Sequence, residues 1–195
     1  MSLFELYFTL GLHHIADLKG YDHILFILTL CVVYSLDEWK KVLILITAFT
    51  IGHSLTLALA TLEVLQVNRD LIEFLIPLTI FLTALANVIS RKKQVSPLLH
   101  YLKYGAALFF GLIHGLGFSS YLRSLLGNES GLLLPLFSFN VGIEAGQAII
   151  VVIIMLLTKL VVDLLKFPRR EWNVLLSGAG LGVSLVLMIE RFPFS

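Results

Sequence analysis

The chain has 195 residues, 58% of them apolar and only 14% charged, against roughly 25% charged in an ordinary soluble domain. With a mean hydropathy of +0.94 it is not a soluble globular protein. A formal net charge of +1 argues against a nucleic-acid partner, and the single cysteine, Cys31, excludes a disulfide framework and a thiolate metal cage.

A bilayer-spanning helix needs about 20 apolar residues, so seven spans would use about 140 and leave about 55 for connections. The expectation is one integral membrane domain over residues 1–195, an all-α polytopic helical bundle. It has about seven transmembrane segments, or six if the first is re-entrant. The first segment, Leu3 to Ala16, is short and carries Glu5. It lacks the basic start and small-residue cleavage site of a signal peptide. Stronger apolar stretches follow at about 22–36, 40–62, 70–90, 101–126, 131–160 and 172–190. They are punctuated by Asp37-Glu38, Asn68-Arg69-Asp70, Arg91-Lys92-Lys93, Gly127-Asn128-Glu129 and Pro168-Arg169-Arg170.

If all seven segments cross, Lys40, Lys41, Arg91, Lys92, Lys93, Lys103, Lys159, Lys166, Arg169 and Arg170 share one side, and Lys19, Arg69, Arg123 and Arg191 the other. This bias places the first side, with the N-terminus, in the cytoplasm and the C-terminus outside. A non-crossing first segment would move the N-terminus outward and change nothing else. Glycines four apart, Gly111/Gly115, Gly142/Gly146 and Gly178/Gly182, are expected to let helix backbones approach closely.

Ionisable groups within a bilayer are costly and face the protein interior. Here they are His13 and His14 ending the first segment, Asp22 and His23 opening the second, and His53, Glu73, His114 and Glu144 in the third to sixth. Counting along each span puts all of them in the extracytoplasmic half. His100 alone falls in the basic connection, as a solvated loop residue. Adjacent positions point about 100° apart, so one of His13 and His14 faces the site, and we take His14. In the sixth segment Asn140, Glu144 and Gln147 form one stripe and Gly142 and Gly146 the opposite one, so protein should cover that helix on both sides. In the third, Thr47, Thr50, His53, Ser54 and Thr61 share a polar stripe. Pro77 should kink the fourth unless the carbonyl it frees finds a partner.

Imidazole with carboxylate is a ligand set for a divalent transition metal such as nickel, cobalt or zinc, not for magnesium or calcium. The candidate ligands are His14, Asp22, His23, His53, His114 and Glu144. Asp22 could instead cap a helix, and Glu144 could orient a histidine or accept a proton. Glu73, Asn140 and Gln147 are expected to support the site or pack. Cys31 reads as a small core residue.

The strings His14-Ile-Ala-Asp-Leu-Lys-Gly-Tyr-Asp22-His23-Ile-Leu-Phe, Thr47-Ala-Phe-Thr-Ile-Gly-His53-Ser-Leu-Thr, Gly111-Leu-Ile-His114-Gly-Leu-Gly-Phe and Phe139-Asn-Val-Gly-Ile-Glu144-Ala-Gly-Gln147 together resemble the HupE/UreJ family of bacterial membrane proteins, in its second branch. The resemblance implies a nickel, sometimes cobalt, permease of the inner membrane, tied to hydrogenase or urease accessory systems. The expected function is secondary transport of a divalent transition metal, nickel first. Its partners are the ion and the lipid bilayer, with a homo-oligomer left open. The alternative from the same residues is a membrane-embedded zinc-dependent hydrolase, in which three histidines and a carboxylate hold zinc with one position open to water.

Overall fold

The computed structural model describes residues 2–90, 97–126 and 131–193. Its helices are α1 (Leu3–Ala16), α2 (Asp22–Cys31), α3 (Trp39–Thr61), α4 (Arg69–Ile89), α5 (Pro97–Leu126), α6 (Leu133–Lys159) and α7 (Arg169–Glu190), and a 3-10 turn, Leu36–Glu38, leads into α3. No strand occurs among the described residues. The stretches Leu36–Thr61, Arg69–Ile89, Leu133–Leu164 and Arg169–Glu190 are long and apolar enough to cross a membrane. At 30 residues α5 would measure about 45 Å. The Arg91-Lys92-Lys93 connection and the Gly127-Asn128-Glu129 turn lie outside the described residues.

Local chemistry sets the helix ends. Ser2 and Glu5 form a reciprocal capping box on α1, and the Asn68 side chain accepts from the first amides of α4. Glu63 after α3 and Lys166 after α6 take the left-handed conformation (φ 61° and 58°), and the Val64 and Phe167 amides reach back to the Leu59 and Val161 carbonyls. The Arg170 guanidinium closes the far end of α4, donating to the carbonyls of Asn87, Val88 and Ser90 at 3.1, 2.5 and 2.9 Å. Those are the carbonyls a helix terminus leaves unpaired.

Contacts between helices fix their directions. Phe74 meets Phe192 and the Asn87 side chain meets Ser177, so α4 and α7 are antiparallel. Trp172, at the start of α7, bonds to Thr158, near the end of α6. The Lys103 ammonium, early in α5, sits over the Tyr34 ring, just past α2. One end of the bundle therefore carries Lys40, Lys41, Lys103, Lys159, Lys166, Arg169 and Arg170.

Two helix pairs are locked by glycine. On Gly52, Gly111 and Gly115 a Cβ would collide with the facing backbone of α5 or α3. On Gly11 and Gly142 it would collide with the backbone of α6 or α1, and on Gly146 with the Ile15 side chain. Small residues permit this approach, and packing across it holds helices together in lipid. The third expected pair does not behave this way. Gly178 and Gly182 have open space where a side chain would go, and it is Gly180 that packs, against Thr29. Helical phase decides this, because Gly180 shares the inward stripe with Ser177, Ser184 and Leu187, all buried.

Two further expectations are corrected. The segment at 22–36 is not a full span, because α2 holds ten residues, or about 15 Å against a hydrocarbon core of about 30 Å. The N-terminus does not lie opposite the C-terminus. Gly142 meets Phe8 and Leu12 of α1 whereas Gly146 meets Leu12 and Ile15, so α1 runs parallel to α6 and starts at the end where α7 finishes. Asp22 lies near Arg191 at the end of α7, and Thr29 near Asn87 late in α4, so α2 also runs toward the basic end. α1 and α2 are thus two short helices running the same way, an arrangement that neither the seven-span nor the re-entrant expectation describes. His100 also differs from expectation: it stands in the first turn of α5 between the Tyr34 and Tyr104 rings, half-buried rather than in a solvated loop.

The apolar core has two parts. Phe26, Ile27, Leu45, Phe49, Ile80 and Met155 belong to one, and Tyr7, Ile15, Leu57, Leu122, Phe139 and Ile143 to the other. Cys31 is a buried free thiol in the first. The polar residues described next lie where the two parts meet.

Candidate metal centre

The break between α1 and α2 brings two histidines together. His14 lies in the last turn of α1 and His23 in the first turn of α2, with ring centroids 4.6 Å apart. α3 adds His53, 5.8 Å from His14 and 6.2 Å from His23, and α5 adds His114, 5.2 Å from His23. Four imidazoles from four helices share one volume. Phe118, Phe139, Phe26 and Phe49 wall it, their ring centroids 3.8 to 5.3 Å from a histidine or stacked on each other. His53 and His114 are buried, and His13 is exposed, so His14 of the adjacent pair faces the site.

For two of the rings, His23 and His114, a hydrogen bond sets which nitrogen is presented. The Asp22 carboxylate accepts from the His23 amide at 3.0 Å and lies 3.2 Å from His23 Nδ1. An ionised carboxylate only accepts, so Nδ1 carries the proton and Nε2 presents its lone pair. Asp22 is therefore not the helix cap, a position held by Tyr21 without a side-chain bond. It orients a histidine, and its other oxygen lies 3.4 Å from Arg191 Nη1. For His114 the orienting group is Thr79. The single Thr79 hydroxyl proton goes to the Ile76 carbonyl at 2.7 Å, so its oxygen accepts from His114 Nε2 at 3.1 Å. That leaves His114 Nδ1 unprotonated.

His14 Nε2, His23 Nε2, both nitrogens of His53 and His114 Nδ1 are buried without a hydrogen-bond partner among the described residues. Each unmade buried bond costs about 1–3 kcal/mol, so an apolar lining would fold more stably. One ligand atom from each of His14, His23 and His53 lies within 4.8 Å of the other two. A metal bonded at about 2.0–2.1 Å wants its nitrogens about 3.3 Å apart, so the three rings would have to close further to bind one. The donor set suits a borderline divalent ion. Partners that fix the free nitrogen, as Asp22 and Thr79 do, are what metal-binding histidines require.

Not every expected residue joins this group. The Glu144 carboxylate accepts from Thr47 of α3 at 2.7 Å, and Gln147 is bonded to Thr50 at 2.8 Å. Both lie on a seam between α3 and α6, the Thr47–Glu144 bond at its exposed edge, while Gly142 and Gly146 face α1, so α6 is covered on its glycine side and only in part on the other. Glu73 pairs with Arg69 at 2.6 Å on the surface. Asn87 is buried and donates to the Thr29 carbonyl, and Asn140 donates to Leu136 of its own helix. Thr79, Arg191, Phe118 and Phe139 were not singled out from the sequence. Their signal was weak, since a threonine in an apolar span commonly bonds its own backbone, as Thr79 also does.

The family model described as HupE / UreJ protein matches residues 1–191. No curated protein and no solved structure matches the chain. The match takes in both glycine-locked pairs and all four converging histidines, in a family of membrane proteins that handle nickel or cobalt; the chain belongs to the HupE/UreJ family.

Proposed function

We propose that this protein is a permease for a divalent transition-metal ion, nickel first, in the inner membrane of a bacterium, with its basic end in the cytoplasm. One observation carries the reading: His14, His23 and His53 bring ligand nitrogens within 4.8 Å of one another, with the His114 ring 5.2 Å from His23 and with Asp22 and Thr79 bonded to two of the four imidazoles. The ion enters beside Asp22 and Arg191 and is held by His14, His23, His53 and His114, with Asp22 keeping His23 in its binding tautomer. Waters complete a partial coordination, because a carrier must select the ion and then release it. Glu144, bonded to Thr47 rather than to an imidazole, serves a later stage of the passage. A hydrolase would need that carboxylate beside the metal-bound water.

Cells expressing Asp22→Ala, His23→Ala or His53→Ala should accumulate less nickel than cells expressing equal amounts of the parent. His13→Ala should match the parent. Unchanged accumulation in the first three would refute the assignment. Tightly held zinc that survives purification, together with hydrolysis of a lipid-like ester, would favour the enzyme.

A further inference from the structure

The two glycine-locked pairs repeat each other. Shifting α1 by 100 residues lays Gly11-Leu12 on Gly111-Leu112 and His14 on His114. Shifting α3 by 90 lays Phe49-Thr-Ile-Gly52 on Phe139-Asn-Val-Gly142. The contacts follow the same shifts. A Cβ on Gly11 would lie 2.9 Å from the Phe139 carbonyl carbon and 3.1 Å from the Ile143 nitrogen. On Gly111 it would lie 2.9 Å from the Phe49 carbonyl carbon and 3.1 Å from the His53 nitrogen, the equivalent atoms. Gly142 meets Phe8 and Leu12, and Gly52 meets Leu108 and Leu112. The directions are opposed: α1 and α6 run toward the basic end, α3 and α5 away from it, and α4 runs against α7.

We infer that the chain is an inverted repeat, α1–α3–α4 against α5–α6–α7 with α2 inserted, whose pairs α1/α6 and α3/α5 move as rigid bodies and part at the α3/α6 seam to release the ion toward the basic end. Inverted repeats in carriers place the substrate at the repeat interface and exchange its access by rocking one body against the other. Here the equivalent residues His14 and His114 both contribute to the site. The interfaces within each body are backbone against glycine. The described side-chain bonds across the seam are Thr47 to Glu144 and Thr50 to Gln147. Two exchangeable hydrogen bonds and the side-chain packing beside them, Leu45 and Ile46 in one core with Val151 and Met155, part more readily than interlocked backbones. On parting, they leave hydroxyl, amide and carboxylate oxygens for a departing cation. The inserted α2 breaks the symmetry and brings His23 with its orienting Asp22, a pair without a counterpart.

This inference rests on the transport reading, and the test separates the two. In a Cys31→Ala parent, one double variant carries Ile15→Cys and Gly146→Cys, within a body. A Cβ on Gly146 lies 3.6 Å from Ile15 Cβ, within disulfide range. The other carries Thr50→Cys and Gln147→Cys, across the seam. Each pair is bridged with a short bis-methanethiosulfonate, confirmed by mass, and nickel uptake into proteoliposomes is compared before bridging, after it, and after reduction. The bridge at 15/146 should leave uptake within twofold, and the bridge at 50/147 should lower it at least tenfold, reversibly. Equal loss at both pairs, or no loss at 50/147, overturns the rocking bodies. A parent that takes up no nickel overturns the transport reading instead. Bridging rates then decide the rest: nickel should change the rate several-fold at 50/147 and leave 15/146 unchanged, and equal rates would sink the repeat as a moving device.

Discussion

The glycine-locked pairs and the α3/α6 seam are both contacts between apolar helices, yet they are built on opposite terms. In the pairs, Gly11, Gly52, Gly111 and Gly142 remove side chains until backbones touch, and nothing there can be rearranged without separating the helices. At the seam the helices meet through Thr47, Thr50, Glu144 and Gln147, hydrogen-bonded in twos. The difference shows how a small membrane protein can be rigid and changeable at once. Close packing supplies stability in lipid, where no hydrophobic force drives helices together, and polar contacts are kept for places that must adapt.

The sharpest way to break the comparison is Gly52→Val. A Cβ there would stand 2.9 Å from the Leu112 nitrogen and 3.2 Å from the Leu108 carbonyl carbon, backbone atoms that cannot step aside. Overpacking of this kind costs about 1–3 kcal/mol or more. Most of the variant should be lost as aggregate on size-exclusion chromatography in detergent, whereas Thr50→Val, at the seam, should elute like the parent. A parent-like profile for Gly52→Val would show that the pair is not locked.

Next comes the site between these regions. Thr79→Val removes the acceptor that holds the proton on His114 Nε2, and nickel affinity measured by equilibrium dialysis should fall about 10- to 100-fold. Thr79→Ser should restore it to within a few-fold. Equal loss in both variants would mean that packing, not the hydrogen bond, orients the ring.

A smaller effect is expected at the mouth. Arg191 Nη1 lies 3.4 Å from Asp22, its side chain 31% exposed, so its repulsion of an arriving cation is screened to roughly 1 kcal/mol or less. Arg191→Gln should tighten nickel binding up to about fivefold at low salt, with the gain shrinking as salt is raised. A loss of affinity would instead make Arg191 a support that positions Asp22. The smallest effect is at Gly178, which faces open space. Gly178→Ala should keep or raise the melting temperature, since alanine in a helix interior is favoured over glycine by about 0.5–1 kcal/mol. A marked loss would reveal a partner on that face.

Much of the candidate site is legible in the chain. His14, Asp22, His23, His53 and His114 stood out because ionisable groups in apolar spans are expensive, and they converge. Glu144 stood out for the same reason, yet it bonds Thr47 one layer away, since depth along a helix says nothing about which neighbour that side of the helix meets. Thr79 and Arg191 carry no such signal, because one segment's residues do not fix which neighbouring helix a threonine faces or how far an arginine at a helix end reaches back.

The sequence by itself determined a helical membrane protein and the residues it cannot afford to expose to lipid, because hydropathy and the cost of buried charge are local properties. Only the tertiary structure decided that α1 parallels α6, that α2 stops at Cys31, and that Gly180 rather than Gly178 and Gly182 packs. Direction, depth and partnership depend on which helices meet. In a bilayer that choice is made by the fit of one surface to another, which no single segment records.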